Sequence, residues 1–331
     1  MALAGVGIGL AGCGSSGSGG GSPAVAGQQT CDGNAPVQTG VASVPVTLSD
    51  VSGSKLVTVG VCVGKHGPYS FVVDTGSTMS IIDSNLSATL GLHRTGITAL
   101  GGMGCAQSGN VVSAPAMSMG HIPMAAQSLV SAPLTSWAGQ HVDGVLGSDV
   151  LGRFGAVKLD LKKASLTVAA VQGLPPTRHE LVIGKKGAAP PASLLTTNPV
   201  VTVPMNVVYG PGTIAAYTSV EVMGHGPNAF VVDTGSPTTT LSTSLAASLH
   251  IASTGTGTPP GGIGCTSDVP TLGPTPVALA LTSQSLSTLR SMPITGVQRI
   301  GITGGLGLDF VVTYGTIIVD YAGADLTIVR G

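Results

Sequence analysis

The sequence is poor in charge, since Asp, Glu, Lys and Arg together make up only 8% of its 331 residues. The 13 basic side chains nearly balance the 14 acidic ones, so the chain has no basic field with which to hold nucleic acid or anionic lipid. We therefore expect no nucleic-acid partner. None of the seven His residues falls in a metal-binding spacing such as His-Glu-x-x-His, so we predict neither a metal nor another cofactor.

Aromatic residues are also scarce, at 3%, and good helix formers such as Glu and Lys are few. The single Trp, Trp137, is too isolated to predict a platform for stacking sugars or bases. The chain has instead 51 Gly, with abundant Thr, Ser, Val and Pro, which favour strands and turns over helices. We expect an all-β fold, and two domains, because the chain exceeds the size that one core usually serves.

The N-terminus predicts export. Met1 to Gly12 is apolar but too short to cross a bilayer as a stable span, and Leu10-Ala11-Gly12-Cys13 resembles a bacterial lipobox. That resemblance implies a signal peptide over residues 1–12, acylation of Cys13, and anchoring in the bacterial envelope, at the outer membrane facing the periplasm rather than the inner membrane. Ser15 to Ser22 would be a flexible tether. No Lys or Arg precedes the apolar run, which fits a start codon further upstream; the alternative is a chance Cys.

Three sequence blocks recur in the same order and at nearly the same spacing, which predicts a duplicated domain. The first copies are Phe71-Val72-Val73-Asp74-Thr75-Gly76-Ser77, Gly101-Gly102-Met103-Gly104-Cys105 and Leu146-Gly147-Ser148-Asp149. The second copies are Phe230-Val231-Val232-Asp233-Thr234-Gly235-Ser236, Gly261-Gly262-Ile263-Gly264-Cys265 and Leu306-Gly307-Leu308-Asp309. We place the tether at residues 13–40, lobe one at 41–172, a Pro-rich linker at 173–199 and lobe two at 200–331.

An Asp-Thr-Gly-Ser run after a hydrophobic strand, then a Gly-rich loop and a hydrophobic-Leu-Gly segment, resembles the aspartic peptidases, both the bilobal pepsin type and the single-domain retropepsin type. Each lobe is similar to the short retropepsin-like unit. The resemblance implies two pseudo-twofold-related lobes with short helices, and it covers nearly all of the chain after the tether. One departure is Gly305-Leu306-Gly307, where lobe one has Val145-Leu146-Gly147. We expect looser packing behind Asp233.

The same resemblance implies that Asp74 and Asp233 are a catalytic carboxylate pair that hydrolyses peptide bonds. Two carboxylates held about 3 Å apart cannot both ionise cheaply, so the pair keeps one proton. It then offers a base to the attacking water and an acid to the carbonyl oxygen.

The three residues after each Asp would support the pair. The threonines would cross-bond the two loops, the glycines would approach closely and donate backbone N–H groups, and the serines would offer hydroxyl donors to the outer carboxylate oxygens. These supporting residues are Thr75, Gly76, Ser77, Thr234, Gly235 and Ser236. Because such donors favour the ionised form, we expect an acidic activity optimum.

The Gly-rich blocks fall where the family has its flaps, the hairpin tips that close over substrate. The flap glycines implied are Gly101, Gly102, Gly104, Gly261, Gly262 and Gly264. An ordinary tight turn is the alternative.

If Cys13 is acylated, four cysteines remain for an oxidising compartment. Cys265 is alone in its lobe, so an intramolecular bridge from it must cross to the other lobe, where Cys105 is its repeat mate. Cys31 would then pair with Cys62. A bridge between Cys105 and Cys265 would latch the flaps together and needs Cα atoms within about 7 Å; ordinary structural bridges or free thiols are the alternatives.

Two further pairs of repeated carboxylates have non-catalytic interpretations. The resemblance implies that Asp149 and Asp309 support the core and the active loop. Asp160 and Asp320 lie in terminal strands, where we expect them to be exposed.

Two classes of function remain open. The first is an endopeptidase acting on an extended peptide held by strand-like backbone bonding. The alternative is a catalytically silent peptide-binding or scaffolding envelope lipoprotein that keeps the fold. Both half-sites lie in one chain, so we expect a monomer.

Overall fold

A computed structural model of the chain describes residues 31, 41–51, 53–101, 106–134, 137, 139–169, 180–183, 199–257, 259, 268–294 and 301–330. Strands dominate these residues, and the helices are one or two turns long. The all-β class and the two lobes with short helices are therefore confirmed, as the scarcity of helix formers predicts. No helix in these ranges is both long and apolar enough to cross a bilayer.

Lobe one contains thirteen strands in its described residues and two short helices. The strands are β1 (Val41–Pro45), β2 (Thr47–Val51), β3 (Ser54–Val63), β4 (His66–Val73), β5 (Ile81–Asp83), β6 (His93–Gly101), β7 (Ala106–Ala114), β8 (Met117–Met119), β9 (Ile122–Met124), β10 (Gln127–Ala132), β11 (Gly144–Leu146), β12 (Ala156–Asp160) and β13 (Ser165–Ala169). The helices are α1 (Ser84–Thr89) and α2 (Ser148–Leu151), and a 3-10 turn (Gly152–Phe154) follows α2.

Lobe two repeats this order of elements. Its strands are β15 (Pro199–Gly210), β16 (Thr213–Val222), β17 (His225–Val232), β18 (Thr240–Ser242), β19 (Ser253–Gly257), β20 (Val269–Leu272), β21 (Thr275–Leu279), β22 (Thr282–Leu286), β23 (Leu289–Met292), β24 (Ile302–Leu306), β25 (Gly315–Asp320) and β26 (Asp325–Arg330). Its helices are α3 (Thr243–Ser248) and α4 (Leu308–Val312). Between the lobes, β14 (Glu180–Ile183) pairs with β15.

One parallel strand pair in each lobe positions the chain before the repeated Asp. In lobe one, β4 runs parallel to β11, with Phe71 opposite Gly144. In lobe two, β17 runs parallel to β24, with Phe230 opposite Gly304. A Cβ on either glycine would come within 2.5 Å of the opposing phenylalanine ring. Any other residue would therefore clash with the buried ring.

The two lobes share a continuous sheet, in which β1, β13, β12, β25, β26 and β15 are neighbours in that order. The link between lobes is the antiparallel pairing of β12 with β25, which aligns Ala156 with Asp320 and Asp160 with Thr316. All six residues of β25 are buried. Burying one aliphatic side chain contributes roughly 1.5–3 kcal/mol, so the three aliphatic side chains of β25 stabilise the sheet that joins the lobes.

The expectation that Asp160 and Asp320 are exposed is wrong, because both carboxylates are buried where the shared sheet turns. Asp160 Oδ1 accepts the backbone N–H groups of Lys162 and Lys163, and its Oδ2 lies 3.7 Å from Lys163 Nζ. Asp320 Oδ1 accepts the N–H of Gly323 at 2.8 Å. Its Oδ2 is buried without a hydrogen-bond partner among the described residues, and burial raises the pKa of this group.

The core behind the strand that leads to the repeated Asp differs between the lobes. In lobe one Val145 joins a cluster of buried side chains that includes Leu56, Val72 and Trp137. The cluster on the matching face of lobe two contains, among the described residues, only Val231, Ile294 and Ile302. Gly305, in place of a valine, contributes no side chain there.

Several expectations lie outside the described residues. They concern the signal peptide at 1–12, Cys13, the tether apart from Cys31, and the linker apart from β14 and the start of β15.

Replacing Asp320 by Asn should raise the thermal unfolding midpoint at pH 7 by about 2–4 °C, because an amide carries no charge into the site where Oδ2 has no partner. Below the ordinary carboxyl pKa both states are protonated, so the gain should vanish. Above it, the unfolded chain ionises more readily than the folded one, and the wild type loses stability as pH rises. Circular dichroism melts at about pH 3, below the ordinary carboxyl pKa, and at pH 7 measure this difference.

Asp160→Asn is the matched control, because it removes a carboxylate whose two oxygens both have partners. It should lower the midpoint at pH 7. An Asp320→Asn protein that melts below the wild type at pH 7 would contradict the assignment of the unpartnered oxygen.

Candidate active site

The two repeated Asp residues each follow a buried apolar run at the end of a strand. Residues 71–73 lead to Asp74 and residues 230–232 lead to Asp233, and both Asp side chains are buried. The Asp74 N–H donates to the Leu146 carbonyl at 3.0 Å, and the Asp233 N–H donates to the Leu306 carbonyl at 3.0 Å. The parallel strand pair of each lobe therefore extends to the carboxylate and fixes its backbone.

The loops after the two Asp residues are joined by reciprocal hydrogen bonds between threonines. The Thr75 N–H donates to Thr234 Oγ1 at 3.0 Å, and the Thr234 N–H donates to Thr75 Oγ1 at 3.2 Å. Thr75 Oγ1 in turn donates to the Val232 carbonyl at 2.6 Å. Thr234 Oγ1 donates to the Val73 carbonyl at 2.8 Å. Each hydroxyl thus bonds both to the opposite loop and to the strand that leads into it.

The two glycines lie against the opposite carboxylates. A Cβ built on Gly76 would lie 2.7 Å from Asp233 Cγ, and one built on Gly235 would lie 2.5 Å from Asp74 Oδ2. No other residue has a side chain small enough for this approach. The structure therefore brings together Asp74, Asp233 and the loops that follow them.

The two carboxylates receive unequal support from backbone donors. Asp74 Oδ1 accepts the N–H groups of Gly76 at 2.8 Å and Ser77 at 2.9 Å. Asp233 Oδ1 accepts the N–H of Ser236 at 3.0 Å. Donors to an ionised carboxylate lower its pKa, so the arrangement favours negative charge on Asp74.

Burial raises the pKa of both carboxyl groups. The neighbouring groups then shift the two pKa values in opposite directions. For Asp74 the N–H groups of Ser77 and Gly76 oppose the effect of burial on the pKa. For Asp233 the negative charge of Asp74 adds to burial and raises the pKa well above the ordinary carboxyl value. The pair therefore retains one proton, and the two N–H donors to Asp74 favour the negative charge on that carboxylate.

The expectation that the serine hydroxyls donate to the carboxylates is wrong. Ser77 Oγ donates to the Met79 carbonyl at 2.8 Å, and Ser236 Oγ donates to the Thr238 carbonyl at 2.7 Å. A hydroxyl has one proton, and here it closes the local turn. Each serine reaches its carboxylate through its backbone N–H instead.

Asp149 supports the loop of lobe one through Ser80. Ser80 Oγ donates to Asp149 Oδ1 at 2.6 Å and accepts the Gly147 N–H at 2.9 Å. The Ser148 N–H also donates to the Ser77 carbonyl at 2.7 Å, so the start of α2 is tied to the loop.

Lobe two has the same arrangement, with Thr239 in place of the serine. Thr239 Oγ1 donates to Asp309 Oδ1 at 2.6 Å and accepts the Gly307 N–H at 3.0 Å. The Leu308 N–H donates to the Ser236 carbonyl at 2.9 Å. Burial raises the pKa of Asp149 and of Asp309 to about 6.

Two residues that sequence reasoning missed also support the loops from the other lobe, Trp137 directly and Tyr321 through Ser148. Tyr321, fully buried in the turn between β25 and β26, has its hydroxyl 2.8 Å from Ser148 Oγ. Since Ser148 Oγ donates to the Thr75 carbonyl at 2.7 Å, Tyr321 is the donor to Ser148. From lobe one, Trp137 Nε1 donates to the Gly235 carbonyl at 2.8 Å. Neither residue belongs to a repeated block, so no sequence signal marked it.

The flaps and most of the cysteines cannot be placed from the described residues. Gly101 ends β6, whereas Gly102, Gly104, Cys105, the second flap (Gly261, Gly262, Gly264) and Cys265 lie outside the described ranges. Cys31 and Cys62 form a disulfide with Cα atoms 5.6 Å apart.

Comparison with known proteins gives one family match. Residues 57–150 match the model of a family described as aspartyl protease. The match runs from β3 through Asp74 and its loop to α2, and it supports a retropepsin-like aspartic peptidase domain in lobe one. None of the curated proteins gives a significant match to the chain.

Thr75→Val should lower the free energy of unfolding by on the order of 2 kcal/mol or more, because it leaves the Thr234 N–H and the Val232 carbonyl unpaired in a buried place. Thr75→Ser keeps the hydroxyl and loses one methyl, so it should cost about 1 kcal/mol. Urea unfolding compares the two midpoints. Equal losses in both variants would show that the hydroxyl contributes nothing.

The Asp149→Asn, Asp309→Asn double variant should flatten the dependence of stability on pH. Between the ordinary carboxyl pKa near 4 and about 6, the folded protein holds protons that the unfolded chain has released. Wild-type stability should therefore fall as pH rises through this window and level off above it.

Urea midpoints between pH 4 and pH 7 test the sign and the slope. Asp50→Asn is the control, because the Asp50 side chain is 82% exposed and its removal should leave the slope unchanged. A double variant with the wild-type slope would contradict the assignment.

Proposed function

We propose that the chain is an aspartic endopeptidase made of two retropepsin-like lobes, with Asp74 and Asp233 as its catalytic residues. The observation that carries the proposal is the pair of buried carboxylates on cross-bonded loops, with environments that separate their affinities for a proton. The match of lobe one to the aspartyl protease family supports it independently.

The unequal environments suggest which carboxylate is the general base and which is the general acid. Asp74, ionised and stabilised by two N–H donors, takes a proton from a water molecule as the water oxygen bonds to the peptide carbonyl carbon. Asp233 gives its proton to the carbonyl oxygen, which yields a neutral diol. Asp74 then gives the proton it took from the water to the nitrogen as the C–N bond breaks, and one hydroxyl of the diol returns a proton to Asp233, which releases a carboxylic acid and an amine. The pair ends with one proton, as it began.

The supporting residues act by holding this geometry. The threonine bonds fix the loops relative to each other, and Gly76 and Gly235 permit the contact between each loop and the opposite carboxylate. Preorganised groups of this kind need no rearrangement during reaction, which is a large part of enzymatic rate enhancement.

The substrate class we propose is a peptide or protein segment in extended conformation, since strands of the two all-β lobes would offer it strand-like backbone partners. Flaps at Gly101, Gly102, Gly104 and at Gly261, Gly262, Gly264 would close over it. The N-terminal sequence supports a lipid-anchored protein of the bacterial envelope, acylated at Cys13 and facing the periplasm. Both carboxylates come from one chain, so a monomer suffices.

Asp74→Asn and Asp233→Asn should each abolish cleavage of a diverse peptide library, with a loss of at least about a thousandfold, because either change removes the acid or the base. Wild-type activity should follow a bell-shaped pH profile on the acidic side of neutrality. Addition of a second proton to the pair gives its acid limb, and loss of the proton that the pair retains gives its alkaline limb.

Mass spectrometry of the library products across pH 3–8 measures both effects. Asp50→Asn, an exposed carboxylate change, is the control and should cleave as the wild type does. Folded wild-type protein that cleaves nothing at any pH would overturn the proposal in favour of a peptide-binding or scaffolding role.

A further inference from the structure

The indole of Trp137 crosses from lobe one to the catalytic loop of lobe two. Its Nε1–H donates to the Gly235 carbonyl at 2.8 Å, two residues after Asp233. The side chain is only 6% exposed, so water does not compete effectively for this carbonyl.

Trp137 is held on lobe one by its backbone and by its ring. Its N–H and carbonyl pair with those of Gln140, both at 2.9 Å. The ring belongs to the buried cluster that contains Val72 and Val145, the residues next to the catalytic strand end. The indole is therefore a fixed donor.

The flanks of the segment that carries Trp137 are anchored as well. On one side the Leu134 N–H donates to Asp83 Oδ2 at 3.0 Å. On the other side Asp143 donates its N–H to the Ser70 carbonyl and accepts the Ser70 N–H, both at 2.8 Å. The hydrogen bond to Gly235 therefore transmits the position of lobe one to the loop of lobe two.

The residue that receives this bond is packed against the catalytic pair. Gly235 lies so close to Asp74 that a Cβ on it would overlap the carboxylate. It also lies in the turn between Asp233 and Ser236, whose N–H supports Asp233. A displacement of the Gly235 carbonyl would thus change the contacts of both carboxylates.

The second lobe has no Trp that could make the equivalent contact. Pro133-Leu134-Thr135 aligns with Pro293-Ile294-Thr295 in the second lobe, and the position that matches Trp137 is Val297. Valine has no side-chain donor. Lobe two therefore has no equivalent indole for the loop of lobe one.

We propose that Trp137 is a positioning residue for the peptidase reaction, which holds the Gly235 carbonyl and so sets the Asp233 loop against Asp74. This inference rests on the proposed function. Trp137 does not contact the substrate in this proposal. It acts through the geometry of the carboxylate pair.

The kinetic test removes the N–H while keeping the ring. Trp137→Phe and replacement of Trp137 by 3-benzothienylalanine, which matches the indole in shape but has no N–H, should each lower kcat about tenfold or more. KM should change less than about threefold, and the pH profile should shift because the coupling of the two carboxylates changes. A merely structural role would lower the unfolding midpoint without changing kcat, KM or the pH profile of the folded fraction. That result in the benzothienylalanine protein would overturn the proposal.

The second test uses fluorescence and needs no turnover. Trp137 is the only Trp in the chain, so tryptophan emission reports on this contact alone. Gly235→Ala, which forces a Cβ against Asp74, should shift the emission maximum and increase quenching by acrylamide. Gly96→Ala is the control, because its Cβ would meet nothing closer than 3.9 Å, and it should leave the emission unchanged.

The two tests separate failure of this inference from failure of the proposed function. Wild-type protein without peptidase activity would overturn the proposed function and with it the kinetic role, whatever the emission shows. Active wild type whose emission is the same in Gly235→Ala and Gly96→Ala would overturn the contact and leave the peptidase assignment standing.

Discussion

The reciprocal hydrogen bonds between Thr75 and Thr234 hold two buried carboxylates together, although two negative charges in a poorly solvated place repel each other strongly. The threonine bonds and the pairing of β12 with β25 supply the opposing stabilisation. Because a buried unpaired N–H or carbonyl is itself costly, the loops cannot separate without leaving four polar groups unsatisfied. The repulsion is relieved in another way, by keeping a proton on one carboxylate. The need for a shared proton thus follows from the way in which the lobes are joined.

Within this pseudo-symmetric frame, the differences between the lobes favour the negative charge on one carboxylate over the other. Asp74 accepts two backbone donors where Asp233 accepts one. The support around each loop is unequal as well. Ser148 links the Thr75 carbonyl to Tyr321 of lobe two, whereas the position matching Ser148 is Leu308, which has no hydroxyl. A pair with identical surroundings would have no fixed acid and base, so we regard these departures from symmetry as part of the proposed mechanism.

The sequence predicts the symmetric part of this arrangement, because repetition is a signal that a single chain can carry. The all-β class, the two lobes and the strand leading to each Asp were predicted from composition, the repeated blocks and the resemblance that they carry. Hydroxyl direction could not be predicted, since Ser77 can close its own turn or reach the carboxylate, and only the backbone path decides between them. The burial of Asp160 and Asp320 was missed because both lie in strands that are edges of a lobe, and the pairing of the lobes turns those edges into the middle of a sheet.

Trp137 and Tyr321 show the limit of such reasoning most clearly. Each is a single residue without a repeat mate of its own kind, and each supports a loop of the other lobe that is far away in sequence, Trp137 directly and Tyr321 through Ser148. As the only Trp in the sequence, Trp137 argued against a surface for stacking sugars or bases. Its isolation gave no sign that its indole N–H donates a hydrogen bond to the other lobe. These two side chains cross the interface between the lobes from opposite sides. Trp137 of lobe one bonds Gly235 of lobe two, and Tyr321 of lobe two reaches Thr75 of lobe one through Ser148. Neither loop that follows a repeated Asp is therefore positioned by its own lobe alone, so the carboxylate pair forms only when the two lobes are assembled together.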